Sequence, residues 1–351
     1  LNESHSISSL PDPLRKHVQS LLDEFRHDDP YKRSIIIEIM HLLNVKHATA
    51  DLKMISRVIH EVRKGLEVFK PYKAVRKVSM FGSARTSPEN PRYKQVSECA
   101  RIIRENGMMV ITGGGGGMMQ AANEGAGEAQ SFGININLPK EQFPNPVVDG
   151  SPRHFYCQYF FTRKLFFLKE SDAVVLAAGG FGTLDETFET LTLLQTGRTP
   201  PIPVILLEAP GDDYWGPLVH SWMRRLVDDR LIGSNDLQFL YHTDSAESAV
   251  RHITGFYVNY HSFRYVGEWV LLRILCPLSV GVLERLNAEF SDVLNKGNIE
   301  QVFHWPRGDD SEYDHLPRLR MRLDRERMNV LPEIIRRMNA LVENEPNRRP
   351  C

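Results

Sequence analysis

The sequence predicts an α/β protein: a parallel sheet flanked by helices, preceded by a helical arm and followed by an α+β extension. Three observations carry that reading. From Val75 onward, short apolar runs alternate with amphipathic helical stretches, the pattern of consecutive strand–helix units. One apolar run, Val110-Ile111-Thr112, enters five consecutive glycines, Gly113 to Gly117, at the mouth of a helix. A second, Ala173-Val174-Val175-Leu176-Ala177, enters Ala178-Gly179-Gly180-Phe181-Gly182-Thr183 in the same way.

The elements follow in order. Residues 1–74 read as a helical arm, because Leu14, Val18, Leu21, Leu22 and Phe25, then Ile35, Ile36, Ile39, Met40 and Leu43, recur at steps of three and four. Pro71 marks its end, since the residue before a proline is pushed out of the α region. Residues 75–255 form the core. Strands are expected near Val75–Phe81, Met108–Thr112, Phe132–Leu138, Ala173–Ala178 and Val204–Leu207. Helices are expected at Tyr93–Glu105, Met118–Ala129, Arg163–Glu170, Thr183–Thr196 and Trp215–Val227. Residues 256–351 are an extension in which Pro317–Leu323 alternates Arg318, Arg320 and Arg322 with Leu319, Met321 and Leu323. That period of two predicts a half-buried strand, its charged face read as a solvated basic surface in preference to an anion site.

Composition narrows the class of protein. At 351 residues, with 42% hydrophobic and 25% charged residues, the chain has what a folded core and its additions require. A formal net charge of −1 gives no global reason to expect a nucleic-acid partner. No apolar run reaches the roughly 18–20 residues that cross a bilayer, and the first residues lack a signal-peptide layout, so no membrane partner is expected. Cys99, Cys157, Cys276 and Cys351 are far apart and show no CxxC pair, for which a reducing cytoplasm is the simplest setting.

The glycine turns carry the chemistry. Residues without Cβ let backbone N–H groups approach an anion, and a helix N-terminus adds partial positive charge, so Gly113 to Gly117 running into Met118 suits a phosphate. No Gly-Lys-Ser/Thr follows, and the GxGxxG spacing is absent, which argues against an NTPase loop and a dinucleotide fingerprint. Two such turns at C-terminal strand ends make a crevice for a phosphorylated ligand. Locally, Thr183-x-x-Glu186 is also a capping box, which gives Glu186 a structural alternative. Arg163, in Thr162-Arg163-Lys164-Leu165, is either a fork for phosphate or part of a solvated basic helix face.

Taken together, these segments resemble the LOG family, named for cytokinin riboside 5′-monophosphate phosphoribohydrolases and long labelled lysine decarboxylases. The resemblance spans roughly Val78 to Thr254, and the extension resembles that of a longer bacterial branch. It rests on Gly82-Ser83, on Gly113 to Met119, on Arg163-Lys164 and on Gly179 to Glu186. Further matches are Asn145-Pro146, Leu191 to Gly197 and Tyr214-Trp215-Gly216-Pro217-Leu218. Two positions depart from the family pattern: Ala178 and Gly116 stand where proline is usual, which leaves both turns freer in the unfolded chain.

The resemblance implies a Rossmann-like core and hydrolysis of the N-glycosidic bond of a nucleoside 5′-monophosphate, of the AMP or cytokinin riboside monophosphate type. It implies Arg163 and Glu186 as the catalytic pair. Gly180, Gly182 and Thr183 would donate to the 5′-phosphate, with Gly113, Gly114, Gly115, Gly116 and Gly117 closing the other side. Gly82, Ser83, Met118, Lys164, Gly179 and Phe181 complete the substrate-binding motifs, and Thr192 is a further candidate. No cofactor is expected, and no metal, since the thirteen histidines include no HxxxH or clustered Cys/His set. A homodimer or higher homo-oligomer is expected. The alternative is a non-catalytic carrier of a nucleotide or molybdenum cofactor with the same fold. A pyridoxal-phosphate decarboxylase is disfavoured, because no Ser-x-His-Lys site is present.

Overall fold

The computed structural model describes residues 10–24, 30–137, 143–304 and 311–345. Phe25, Leu138 and Cys351, which figure in the reading above, lie outside them. The chain divides into two units between His60 and Glu61.

The first unit contains helices α1 (Asp12–Glu24) and α2 (Pro30–Asn44) and the start of α3 (Thr49–Phe69). Leu10, Val18, Leu22 and Ile37 form a small buried cluster, with Leu14, Ile36 and Met40 packed against it. Leu21, Ile35 and Leu43, expected on the same apolar stripe, stay exposed, because a pair of helices buries only the faces turned toward each other.

In the second unit α3 ends at Phe69 and a 3₁₀ turn, Lys70–Tyr72, carries Pro71. The alternating elements are then β1 (Lys77–Phe81), α4 (Pro91–Glu105), β2 (Met109–Thr112), α5 (Met118–Ala126), β3 (Ser131–Ile136), β4 (His154–Cys157) and α6 (Phe160–Lys169). They continue with β5 (Ala173–Leu176), α7 (Phe181–Gln195), β6 (Val204–Leu207), α8 (Arg224–Asp228), β7 (Leu240–Thr243) and α9 (Ala246–Phe256). The seven strands pair in parallel in the order β4-β3-β2-β1-β5-β6-β7.

Every residue of β1, β2, β3, β5 and β6 is buried, as in a sheet covered on both faces. Successive residues point to opposite faces, so Val78, Met80 and Val175 join one core beneath α4, α5 and α9. Phe81, Val174 and Leu176 join a second core with Phe69, Phe166 and Trp215. The edge strands β4 and β7 escaped the sequence reading. Each has one exposed residue, Tyr156 in β4 and His242 in β7, and with His154 and Tyr241 these interrupt any apolar run. The single helix expected over Trp215–Val227 is instead a π-helical stretch, Leu218–Met223, followed by α8.

The extension contains β8 (Tyr260–Val266), β9 (Trp269–Ile274), α10 (Val280–Phe290), β10 (Glu300–Val302), β11 (Arg318–Met321) and α11 (Leu331–Glu343). Its antiparallel sheet runs β10-β11-β9-β8 and packs Leu272, Leu319 and Met321 against Leu286, Ile335 and Met338 of the two helices. The strand expected over Pro317–Leu323 is present as β11, but its arginines are not a solvated face, nor are they free for an anion. Arg318 is fully buried and donates to the carbonyls of Leu316 and Tyr313 at 2.6 and 3.0 Å. Arg320 pairs with Glu300 at 2.6 Å, and Arg322 with Glu268 at 3.0 Å. Glu300 lies on β10 and Glu268 in the turn between β8 and β9, partners that a single strand's periodicity does not reveal.

Cys99 and Cys157 are buried free thiols, whereas Cys276 is disulfide-bonded, a pairing the cysteine spacing did not foretell. Among the described residues no helix is long and apolar enough to cross a membrane.

Candidate functional site

Strand β1 lies between β2 and β5, and the sheet grows outward from it in both directions. Connections leaving β1 and β5 therefore diverge, opening a crevice at their C-terminal ends, the place where open α/β sheets receive ligands. The crevice measures about 540 Å³, of the order a small ligand needs. Both glycine turns reach it, through Gly113 after β2 and Gly180 and Gly182 after β5.

The second turn leaves backbone N–H groups facing outward at a helix start. Helix α7 begins at Phe181 with Gly180 as its N-cap and no side-chain cap. The first bond back into the helix is from Leu184 N–H to the Gly180 carbonyl at 3.1 Å, so the preceding N–H groups have no intrahelical acceptor. The helix thus starts two residues before Thr183, and the capping box considered for Thr183 and Glu186 is not formed. Thr183 instead lies against Gly179, where a Cβ would meet its Oγ1 at 2.1 Å. Gly180 and Gly182 have open space where their Cβ atoms would be.

Glu186, one turn further along α7, is buried with 5% of its surface exposed. Burial pushes its carboxyl up to about 7, against the pull of the Lys164 and Arg163 charges and with help from Glu189 and Asp185. Arg163 reaches the crevice from α6. Its guanidinium sits 5.1 and 5.5 Å from the ring centres of Phe160 and Phe167, and its buried Nε has no hydrogen-bond partner. Burial lowers its proton affinity, while the charge of Glu186 raises it. A desolvated arginine without an ion-pair partner among the described residues has the chemistry to accept an anion as a partner.

The other expected site residues divide. Gly82, Ser83, Phe181 and Thr183 line the crevice with the groups above. Gly114, Gly115, Gly116 and Gly117 pass behind it. Gly114 has φ +69°, and a Cβ there would meet Asn135 Oδ1 at 1.9 Å. Gly117 has φ +62°, with Ser83 O only 2.3 Å from the place of a Cβ. Asn145 holds this turn, donating from its backbone N–H to Gly114 O at 2.8 Å and from Nδ2 to Gly115 O at 3.0 Å. Met118 is buried, and its N–H donates to Ser83 O at 2.9 Å. Lys164 binds the acidic face of α7, 2.8 Å from Asp185, 2.7 Å from Glu189 and 3.8 Å from Glu186. Thr192 lies away from the crevice and donates to Phe188 O at 2.7 Å. Sequence reasoning missed Phe81, Ala84, Arg85, Phe167 and Leu184 in the lining, and had Met119 only as the end of the glycine motif. Arg85 and Ala84 had a signal in their closeness to Ser83.

This division has a measurable consequence. Gly117→Ala places a side chain at positive φ against a carbonyl and is expected to lower unfolding free energy by about 2–4 kcal/mol. Gly182→Ala meets only open space inside a helix and is expected to leave stability unchanged or to raise it by up to about 1 kcal/mol. Denaturant titration of both variants checks this; equal losses would count against it.

The family model described as "Possible lysine decarboxylase" matches residues 116–253. Among curated proteins no match is found. Among solved structures, the molybdenum cofactor binding protein of Rippkaea orientalis is 23% identical over 51% of this chain and 94% of its own, with a TM-score of 0.36. The molybdenum cofactor carrier protein of Chlamydomonas reinhardtii is 19% identical over 51% and 96%, with a TM-score of 0.34. DNA processing protein A of Streptococcus pneumoniae is 13% identical over 71% and 96%, with a TM-score of 0.36. Over residues 116–253 the α/β core is therefore similar to the LOG family, the family formerly described as possible lysine decarboxylases.

Proposed function

We propose that the crevice binds a nucleoside 5′-monophosphate and hydrolyses its N-glycosidic bond, releasing the free base and ribose 5-phosphate. The observation that carries this reading is the pairing, in one crevice, of a buried carboxylate titrating near neutrality with an arginine that has no anion of its own. The uncapped first turn of α7 receives the 5′-phosphate through its N–H groups. As the C1′–N bond breaks, positive charge builds on the ribose, and ionised Glu186 stabilises it and takes a proton from the attacking water. The water oxygen bonds to C1′, the C1′–N bond breaks with its electron pair leaving on the base, and the base takes up a proton from solvent while Glu186 later releases the one it took, so that water is consumed as OH on the ribose and H on the base. Arg163 grips the ribose phosphate.

A carrier of a nucleotide or molybdenum cofactor would need the anion grip but not a carboxylate poised at neutrality. Incubation with AMP, GMP, cytokinin riboside monophosphate and pyrimidine monophosphates, with free base and ribose 5-phosphate as the readout, separates the two. Binding without release of base from any of them would leave only the carrier. The homo-oligomer implied by the resemblance belongs to the same reading, and a monomer mass by light scattering at micromolar concentration would remove it.

A further inference from the structure

Tyr214 lies outside the crevice lining, yet it is tied to the turn that supplies the crevice's donors. It follows β6 on a strap anchored at several points. The neighbouring Trp215 is fully buried, donates its indole N–H to Leu176 O at 3.1 Å, and donates its backbone N–H to the buried carboxylate of Glu208. The other oxygen of Glu208 is 2.9 Å from His242 Nε2. Arg92 binds Asp212 through two hydrogen bonds of 2.5 and 2.6 Å, two residues before the tyrosine. From this support the Tyr214 hydroxyl donates to the Gly179 carbonyl at 2.5 Å.

In a trans peptide, the C=O of one residue and the N–H of the next point in opposite directions. A Gly179 carbonyl held toward the strap therefore turns the Gly180 N–H the other way, and Gly180 lines the crevice whereas Gly179 does not. Rotating that peptide by half a turn would carry Gly180 from φ −93° to a positive value, which glycine adopts freely and other residues rarely do. With glycine on both sides of the bond and Ala178 before it, local chain stiffness does not oppose the flip. We propose that Tyr214 is a positioning residue, a lock on the 179–180 peptide plane that keeps the Gly180 N–H available to a phosphate. This rests on reading the crevice as a phosphate site, and its test uses binding rather than turnover.

Tyr214→Phe retains the ring packed on Trp215, 4.8 Å between centroids, and loses only the hydroxyl. Calorimetric affinity for AMP and for inorganic phosphate is expected to fall about tenfold, the size of one hydrogen bond's effect, with Tm within a few degrees of the parent. In protein labelled with [15N]glycine, the Gly180 amide resonance is expected to move on phosphate addition in the parent and much less in the variant. Gly180→Ala confines φ to negative values, so in that background Tyr214→Phe is expected to change affinity by less than about twofold. Affinity of Tyr214→Phe within twofold of the parent, or the same loss in both backgrounds, overturns the lock. A parent that binds AMP without releasing base ends the hydrolase reading and leaves the lock to be judged on these affinities. A parent that binds neither probe overturns both.

Discussion

Glu186→Gln is expected to slow base release by about a hundredfold or more while making the protein more stable above neutral pH. The two effects have one cause. The fold holds the Glu186 carboxyl at about 7, above its ordinary value of 4.5, so the folded state binds the proton more tightly than the unfolded chain does. Between those values stability falls as pH rises, by up to about 3 kcal/mol, and then levels off above about 7. Glutamine has no charge to bury, so the variant loses that slope and exceeds the parent at pH 8. Turnover moves oppositely: the ionised carboxylate is the active form, and kcat/KM of the parent is expected to rise through pH 7. Nucleotide affinity should persist, because the phosphate is held elsewhere. Denaturant unfolding and initial rates across pH 5–9 check the set; a variant as active as the parent would sink the catalytic role.

Arg163→Ala is the second large effect. Removing an unpaired guanidinium takes away the anion grip, so affinity for monophosphates is expected to drop at least about tenfold and kcat/KM at least about a hundredfold. Arg163→Lys should recover only part, because an ammonium lacks the planar fork. The Arg163 charge also draws the Glu186 carboxyl downward, so its loss should shift the rising limb of the pH profile to higher pH. A profile that stays in place would mean that the two side chains do not act on one another.

Legibility in the sequence followed burial. Strands β2, β5 and β6 could be read as apolar runs because both of their faces are covered, whereas β4 and β7, partly exposed at the edges, could not. Glu186 and Arg163 were reachable through motif resemblance, but the choice between capping and crevice for Glu186 turned on α7 starting at Phe181, which local spacing does not reveal. The five-glycine run suits a phosphate on sequence grounds, but in the fold it is largely engaged by the chain itself: the Gly114 N–H donates to Thr112 Oγ1, the neighbouring Met118 N–H donates to Ser83, and Asn145 is bound to its carbonyls. Tyr214 was quoted for its motif alone, since its partner Gly179 is 35 positions away in sequence.

The first turn of α7 offers its grip through peptide N–H groups, and these are common to every amino acid. Such a grip is inherited with the backbone and survives drift in the side chains around it. Under the reading proposed here, whether a descendant of this fold cleaves its ligand or only conveys it rests on the few side chains that reach the crevice, Arg163 and Glu186 foremost. Transitions between catalyst and courier then lie within a couple of substitutions, and the capacity to hold a phosphate is harder to lose than the chemistry performed on it.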